Sequence, residues 1–247
     1  MAPDVVSRRV LLGMLTPSSN TVLEPVTTAM LAALPEVSAH FGRFRVREIG
    51  LAEALLDQFD DAAMVRAAEL LADAKVRVIA WNGTSSGWLG LAADERLCAR
   101  ITGVTGIPAC TSVLALNEIF RLTGVTRFGL VTPYRDDVQA RIVANYRAEG
   151  FVCVAERHLG IQDNFAFSDV SADEIRRLTR EVAQARPQAI TIFCSNLRGA
   201  PLVEALETEL GLPVYDTVAT AVWKSLRLAG VNAKRVRGWG RLFQDVA

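Results

Sequence analysis

The strongest constraint on this chain is an internal repeat. The run Gly13-Met14-Leu15-Thr16-Pro17-Ser18-Ser19 returns as Gly129-Leu130-Val131-Thr132-Pro133-Tyr134-Arg135, 116 positions later. Val78-Ile79-Ala80-Trp81-Asn82-Gly83-Thr84-Ser85 returns as Ala189-Ile190-Thr191-Ile192-Phe193-Cys194-Ser195-Asn196, 111 positions later. Gly106-Ile107-Pro108 returns as Gly211-Leu212-Pro213, 105 positions later. Nearly equal offsets for three strand-turn signals mean one arrangement built twice, as two similar lobes facing each other across a cleft. In that register Gly83 falls opposite Cys194. One lobe offers a thiol at the cleft and the other only backbone.

The element pattern agrees. Residues 10–15 read as a buried strand entering a loop, and 21–34 as a helix with Leu23, Val26, Met30, Leu31 and Leu34 at helical spacing. Residues 44–49 read as a weaker strand, and Asp60 or Asp61 caps a helix running to about Ala74. A strand over 76–81, a helix over 91–102, a strand after Pro108 and a helix over 113–122 complete the first lobe. The second lobe repeats this order. Its strands fall at 127–132, 152–156, 189–193 and 214–215, and its helices at 136–149, 171–186, 202–210 and 217–229. Ser171-Ala172-Asp173-Glu174 forms a capping box.

Such alternation implies an α/β fold of two pseudo-symmetric Rossmann-like lobes, each a parallel sheet of about four strands flanked by helices. The active site is expected in the cleft between them, at the carboxyl ends of the strands. Residues 1–116 plus 217–247 are expected to form the first lobe and 117–216 the second, packed closely because no flexible linker divides them.

The chain has 247 residues, 51% of them hydrophobic, enough for a large core. Lys+Arg and Asp+Glu both number 27, giving zero net charge, and there is no long basic block. That argues against nucleic acid or a charged membrane surface as partner. No segment approaches about 18 uninterrupted apolar residues, so no bilayer span is expected. Ser7-Arg8-Arg9 before Val10-Leu11-Leu12 is similar to a twin-arginine export signal, but the apolar stretch stops at Thr16-Pro17-Ser18 and reads as the first strand. Cys98, Cys110, Cys153 and Cys194 lack CxxC spacing and read as reduced thiols of a cytoplasmic protein.

Cys194 follows a buried strand and precedes the polar loop Ser195-Asn196-Leu197-Arg198-Gly199. A thiol there is either a small buried hydrophobe or an acid/base group whose ordinary pKa of about 8.5 is easily moved by its surroundings. The repeat register favours the second. Cys98, Cys110 and Cys153 fall in helix and strand patterns and are expected in the core. Asn82-Gly83-Thr84-Ser85-Ser86-Gly87 holds a carboxylate or phosphate on its N–H groups and hydroxyls, or is an ordinary strand-to-helix turn. It is neither GxGxxG nor a Walker loop, so no nucleotide cofactor is expected. In the matched loops after the first strand of each lobe, Ser19, Asn20 and Tyr134 either face the cleft or serve as helix caps and a surface tyrosine. Asp163-Asn164 either caps a turn or faces the cleft. His40 and His158 form no metal motif and read as structural or exposed, and no GxSxG elbow is present.

Together these loops are similar to the aspartate/glutamate racemase superfamily, and within it to the clade of maleate cis-trans isomerases and arylmalonate decarboxylases. The similarity runs from Gly13 to Gly238-Trp239-Gly240-Arg241-Leu242-Phe243. Pro17-Ser18-Ser19-Asn20-Thr21, Pro133-Tyr134 and Asp163-Asn164 resemble the isomerase motifs. In that family the matching asparagines and tyrosine bind the substrate carboxylates, so the resemblance implies a binding role for Pro17, Ser18, Ser19, Asn20, Tyr134 and Asn164. Isomerases hold one cysteine per lobe; Cys194 matches the second, and Gly83 replaces the first. Gly83-Thr84-Ser85 and the C-terminal segment instead resemble arylmalonate decarboxylase, with glycine in the first lobe and a single catalytic cysteine in the second. There Thr84, Ser85 and the tyrosine would hold the enediolate formed when carbon dioxide leaves, with Ser195 beside the thiol.

Two-base racemisation needs groups on both faces of a carbon, and maleate isomerisation needs a thiolate plus a second group. A lone Cys194 can protonate an enediolate from one face. The resemblance therefore implies a cofactor-independent decarboxylase of a small (di)carboxylic acid, with no metal. The alternatives are an isomerase or racemase with a substitute for the missing thiol, and a non-catalytic carboxylate-binding protein. Gly83→Cys is expected to favour racemisation. Trp81, Trp88, Leu159, Phe165 and Phe167 are candidates for the wall that selects aryl or alkyl substrates, and the relatives imply a monomer or a homodimer.

Overall fold

A computed structural model describes residues 9–246, so Ser7 and Arg8 of the arginine motif lie outside the described residues. The first sheet holds β1 (Val10–Pro17), β2 (Val37–Phe44), β3 (Val78–Trp81) and β4 (Ala109–Thr111) in the order β2-β1-β3-β4. The second holds β5 (Arg127–Thr132), β6 (Val152–His158), β7 (Ala189–Ile192) and β8 (Val214–Asp216) in the order β6-β5-β7-β8. Every pairing within these two sheets is parallel.

The registers carry the sequence repeat into space. Leu15 pairs with Trp81, and Trp81 with Thr111; Val131 pairs with Ile192, and Ile192 with Asp216. The equivalent residues are 116, 111 and 105 positions apart, the same three offsets that the sequence shows. Gly83 and Cys194 therefore each stand two residues beyond the same rung, where the chain leaves the sheet at its carboxyl edge.

The inner strands are apolar because both faces are covered: every residue of β3 and β7 is buried. Residues 44–49 do not form the expected strand; the neighbour of β1 is Val37–Phe44. As an edge strand, β2 is only half-buried along most of its length, so its polar Ser38, His40 and Arg43 hid it from a search for apolar runs. Val46 and Ile49 are buried for a different reason, since their segment turns in toward the cleft.

Helices cover the sheets. They are α1 (Leu23–Leu31), the short α2 (Glu53–Leu56), α3 (Asp61–Asp73), the short α4 (Ser86–Leu89), α5 (Leu91–Thr105), α6 (Ser112–Thr123), α7 (Asp136–Ala148), α8 (Ala172–Ala183), α9 (Val203–Leu210), α10 (Thr217–Leu228) and the short α11 (Leu242–Asp245). Side-chain caps fix several starts. Asp60 accepts from Ala62 N–H at 3.1 Å, Ser171 from Glu174 N–H at 3.2 Å and Asp216 from Val218 N–H at 2.8 Å. The long C-terminal α10 packs against α1, α6, β3 and β4, and also against β8 of the second sheet. Cys110 is buried, but Cys98 and Cys153 are half-buried rather than core, Cys153 because β6 is a sheet edge.

The lobes meet closely. α4 of the first lobe lies on α7 of the second, and Gly87 makes that approach possible. A Cβ there would stand 2.7 Å from Phe193 Cε1, and the Gly87 carbonyl accepts from Asn145 Nδ2 at 2.9 Å.

Candidate active site

Two strand ends build the centre of the cleft. Cys194 is buried, and the N–H of Asn196 points at its Sγ from 3.4 Å. Burial pushes the thiol up to about 12, against the pull of the Asn196 N–H, the Tyr134 hydroxyl and the Leu197 N–H. At neutral pH Cys194 is therefore a protonated thiol, with donors placed to steady the thiolate once its proton has gone.

Tyr134 reaches in from the loop after β5. It is 2% exposed, so it is no surface tyrosine. Its hydroxyl is 2.5 Å from Thr84 Oγ1, and it faces Cys194, where it eases loss of the thiol proton. The ring is wedged edge-on against Trp88 at 5.3 Å and Phe167 at 5.6 Å. A chain thus runs from the first-lobe turn through Tyr134 to the second-lobe thiol.

A second set of bonds closes the seam between the lobes. Asn20 donates Nδ2–H to Ser195 Oγ at 3.2 Å, and its Oδ1 accepts from Val22 N–H at 3.0 Å and Leu23 N–H at 2.9 Å. Capping and cleft-facing, offered as alternatives for Asn20, are both realised by its two ends. Ser195 Oγ donates to the Asn82 carbonyl at 2.9 Å. Asn164 donates to Ser19 Oγ at 2.7 Å and accepts at its carbonyl from Asn196 Nδ2 at 2.5 Å, while Asn196 Oδ1 accepts from Thr21 N–H at 3.0 Å. Ser18 and Ser19 both donate to the Val46 carbonyl, at 3.2 and 2.7 Å.

The residues around the thiol line a small cavity of about 20 Å³, with Pro17, Gly83, Thr84, Ser85, Tyr134, Asn164, Cys194 and Ser195 in its wall. Ser18, Ser19 and Asn20, also expected at the site, lie outside the cavity wall and are engaged in the seam. Of the aromatic candidates, Trp81 and Trp88 line the cavity. Phe167 supports Tyr134 from behind, Leu159 is only partly buried and Phe165 is half-exposed. Val46, Ile49 and Phe59 complete the wall and were missed. The apolar pair Val46 and Ile49 carries a signal, but one that imitates a strand; Phe59, set between Gln58 and Asp60, carries none. Every residue of this wall is buried.

Gly83 is flanked unexpectedly. A Cβ built on it would stand 1.9 Å from Trp81 Cζ2 and 2.4 Å from Cε2 and Cη2. The indole fills the space a first-lobe cysteine side chain would take, so a thiol restored at Gly83 has no room until Trp81 moves.

Two buried carboxyls stand nearby. Burial pushes Asp216 up to about 7 and Asp94 up to about 6. Asp94 accepts from Ser86 Oγ at 2.7 Å, and the charge of Asp216 raises the Cys194 thiol further. Among the described residues, no group of three or more His, Cys, Asp or Glu could hold a metal ion, and no helix is long and apolar enough to cross a membrane.

Comparison with known proteins places this geometry. The family described as arylmalonate decarboxylase matches residues 13–243. Arylmalonate decarboxylase of Bordetella bronchiseptica is 29% identical over 237 residues, covering 95% of this chain and 96% of its own. Maleate isomerase of Nocardia farcinica is also 29% identical, over 249 residues and 95% of each chain. Among solved structures, a Nocardia farcinica maleate cis-trans isomerase variant with a covalently bound succinylcysteine intermediate gives a TM-score of 0.88 at 26% identity, over 96% of this chain and 99% of that one. A liganded arylmalonate decarboxylase variant with a glycine-to-cysteine and a cysteine-to-serine exchange gives 0.84 at 26% identity, over the same shares.

Proposed function

The chain belongs to the arylmalonate decarboxylase family, and from that premise we propose that it is a cofactor-independent decarboxylase of a disubstituted malonate or a related small carboxylic acid. The observation that carries this reading is the asymmetry of the cleft: a buried, protonated Cys194 on one side, and Gly83 covered by an indole on the other.

In the proposed reaction the bond between the central carbon and one carboxylate breaks. Carbon dioxide leaves and the electron pair moves onto the remaining carboxylate, giving an enediolate. Thr84, Ser85 and Tyr134 line the cavity where that charge develops, and one such donor is worth about 3–4 kcal/mol. The Cys194 proton passes to the carbon from one face. The thiolate left behind is held by Tyr134 and the N–H groups of Asn196 and Leu197 until solvent reprotonates it. A thiol pushed up to about 12 suits donation to a strongly basic enediolate. Phe59, Trp81 and Trp88 give the cavity an apolar side suited to a substituent rather than a second charge.

The test is carbon dioxide release from a panel of 2-substituted malonates, with the handedness of the product. Full-rate release by Cys194→Ala would sink the proposal. The second reading is a cis-trans isomerase, favoured by the seam residues Asn20 and Asn164 and by the equal identity to maleate isomerase. It requires an unprotonated thiol to add to a double bond. Conversion of maleate to fumarate would establish it in place of the decarboxylase.

A further inference from the structure

We propose that Trp81 is a substrate-binding residue, whose indole N–H donates a hydrogen bond to a carboxylate oxygen of the acid bound beside Cys194, in the space that a first-lobe thiol would occupy. The proposal rests on the cavity being a carboxylate site, as the preceding reading has it. Trp81 is the last residue of β3, held on both sides by the rungs to Leu15 and Thr111. Its counterpart in the second lobe is Ile192, so the indole is one of the places where the two lobes part company.

Three observations converge on the ring. It lines the same cavity as Cys194, Thr84, Ser85 and Tyr134. It stands over Gly83, and Cε2, the ring carbon bonded to Nε1, is one of the three atoms that a Gly83 Cβ would strike. Nε1 itself is buried and has no hydrogen-bond partner. An indole nitrogen can only donate, and a buried one ordinarily finds an acceptor. Trp223 does so, donating to the Val246 carbonyl at 3.2 Å; the two indoles on the cavity wall, Trp81 and Trp88, both lack a partner, and of these Trp81 is the one that stands over Gly83. An unmet donor beside the catalytic thiol is the complement of a carboxylate. Phe44 braces the ring from behind at 5.0 Å, so the donor is positioned before the ligand arrives.

The chemistry of the exchange follows. A thiol beside Gly83 could take a proton from the substrate carbon. An indole N–H neither accepts nor releases one near neutral pH, yet it still stabilises negative charge on oxygen. Trp81 would thus convert the position of a second base into that of a neutral donor, while its bulk closes that face.

The deciding experiment uses Cys194→Ala protein with indole nitrogens labelled with nitrogen-15, titrated with phenylmalonate as probe. The Trp81 signal, identified by its loss in Trp81→Phe, should move downfield and become protected from solvent exchange, while the Trp223 signal stays in place. A Trp81 signal unmoved at saturating probe overturns the proposal. In otherwise unaltered protein, Trp81→Phe should weaken kcat/KM for phenylmalonate at least tenfold. An unchanged kcat/KM would overturn the donor role and leave the decarboxylase standing. Conversely, a shifted Trp81 signal with no carbon dioxide release from the Cys194-containing protein would keep the donor and remove the decarboxylase. Absence of any phenylmalonate binding would overturn both. Should Trp81→Phe fail to fold, selective unfolding is avoided by assigning Trp81 as the signal unaffected by Phe substitution at Trp88, Trp223 and Trp239.

Discussion

Thr84 Oγ1 and the Tyr134 hydroxyl meet at 2.5 Å, and they come from opposite lobes. That bond ties the first-lobe turn to the hydroxyl that also lowers the cost of ionising Cys194, so the thiol senses the first lobe through one phenol. Tyr134→Phe keeps the edge-on packing against Trp88 and Phe167 and removes only the hydroxyl. Turnover is expected to fall about 10²–10³-fold, the cost of one oxyanion donor, with little change in thermal midpoint. A fall in midpoint that matched the loss of rate would instead make the hydroxyl structural.

Gly83→Cys tests the indole as a steric plug. The single variant should lose about 1–3 kcal/mol of stability through overpacking, because its Cβ meets the ring at 1.9 Å. Combined with Trp81→Val the penalty should shrink, giving a coupling energy that urea denaturation of both singles and the double variant measures. The double variant, with thiols on both faces, should also exchange the α-hydrogen of the decarboxylated product with deuterium from solvent. Additive destabilisation would show that ring and glycine do not compete for space.

Asp216 should write a pH signature on stability. Its carboxyl ionises at about 7 in the fold, against an ordinary value of 3.8. Between those values the folded chain holds a proton that the unfolded chain has released, so stability falls as pH rises from about 4 to 7. Asp94, at about 6, adds to the lower part of that window. Asp216→Asn keeps an oxygen for the Val218 N–H and cannot ionise. Urea midpoints at pH 5 and pH 7.5 should lie closer together in that variant than in the parent chain; an equal gap would refute the assignment.

Asn20 separates capping from bridging. Asn20→Ala should cost about 1–2 kcal/mol through the lost cap on α1. Asn20→Asp keeps acceptors for Val22 and Leu23 but gives Ser195 no N–H. It should recover most of the stability and still impair turnover, read as a changed KM or kcat at near-parental midpoint.

The paired lobes were legible because three turn signals repeat at offsets that the sheet registers reproduce. The thiol and its glycine counterpart were legible for the same reason, since a rung match fixes both. Trp81 was legible as a candidate for the cavity wall, but its place over Gly83 was not, because the sequence shows an indole at a strand's end and not which way the following turn folds its ring. Asn20 defeated an either-or choice because one amide has two ends, an acceptor for a helix and a donor for the opposite lobe. The half-buried β2 was missed because edge strands carry polar residues, while the truly buried Val46 and Ile49 imitate a strand that the backbone never forms.

The tight wall around the thiol carries a consequence for tempo. A cavity of about 20 Å³ holds little more than one water, so in the proposed reaction an acid enters and a product leaves only as the walls part, and the seam from Asn20 to Asn196 is what holds them together. Breathing of the two lobes then sets the upper limit on throughput, with bond breaking waiting inside. On this account solvent viscosity slows the cycle, and loosening the latch quickens product escape at the expense of shelter from water.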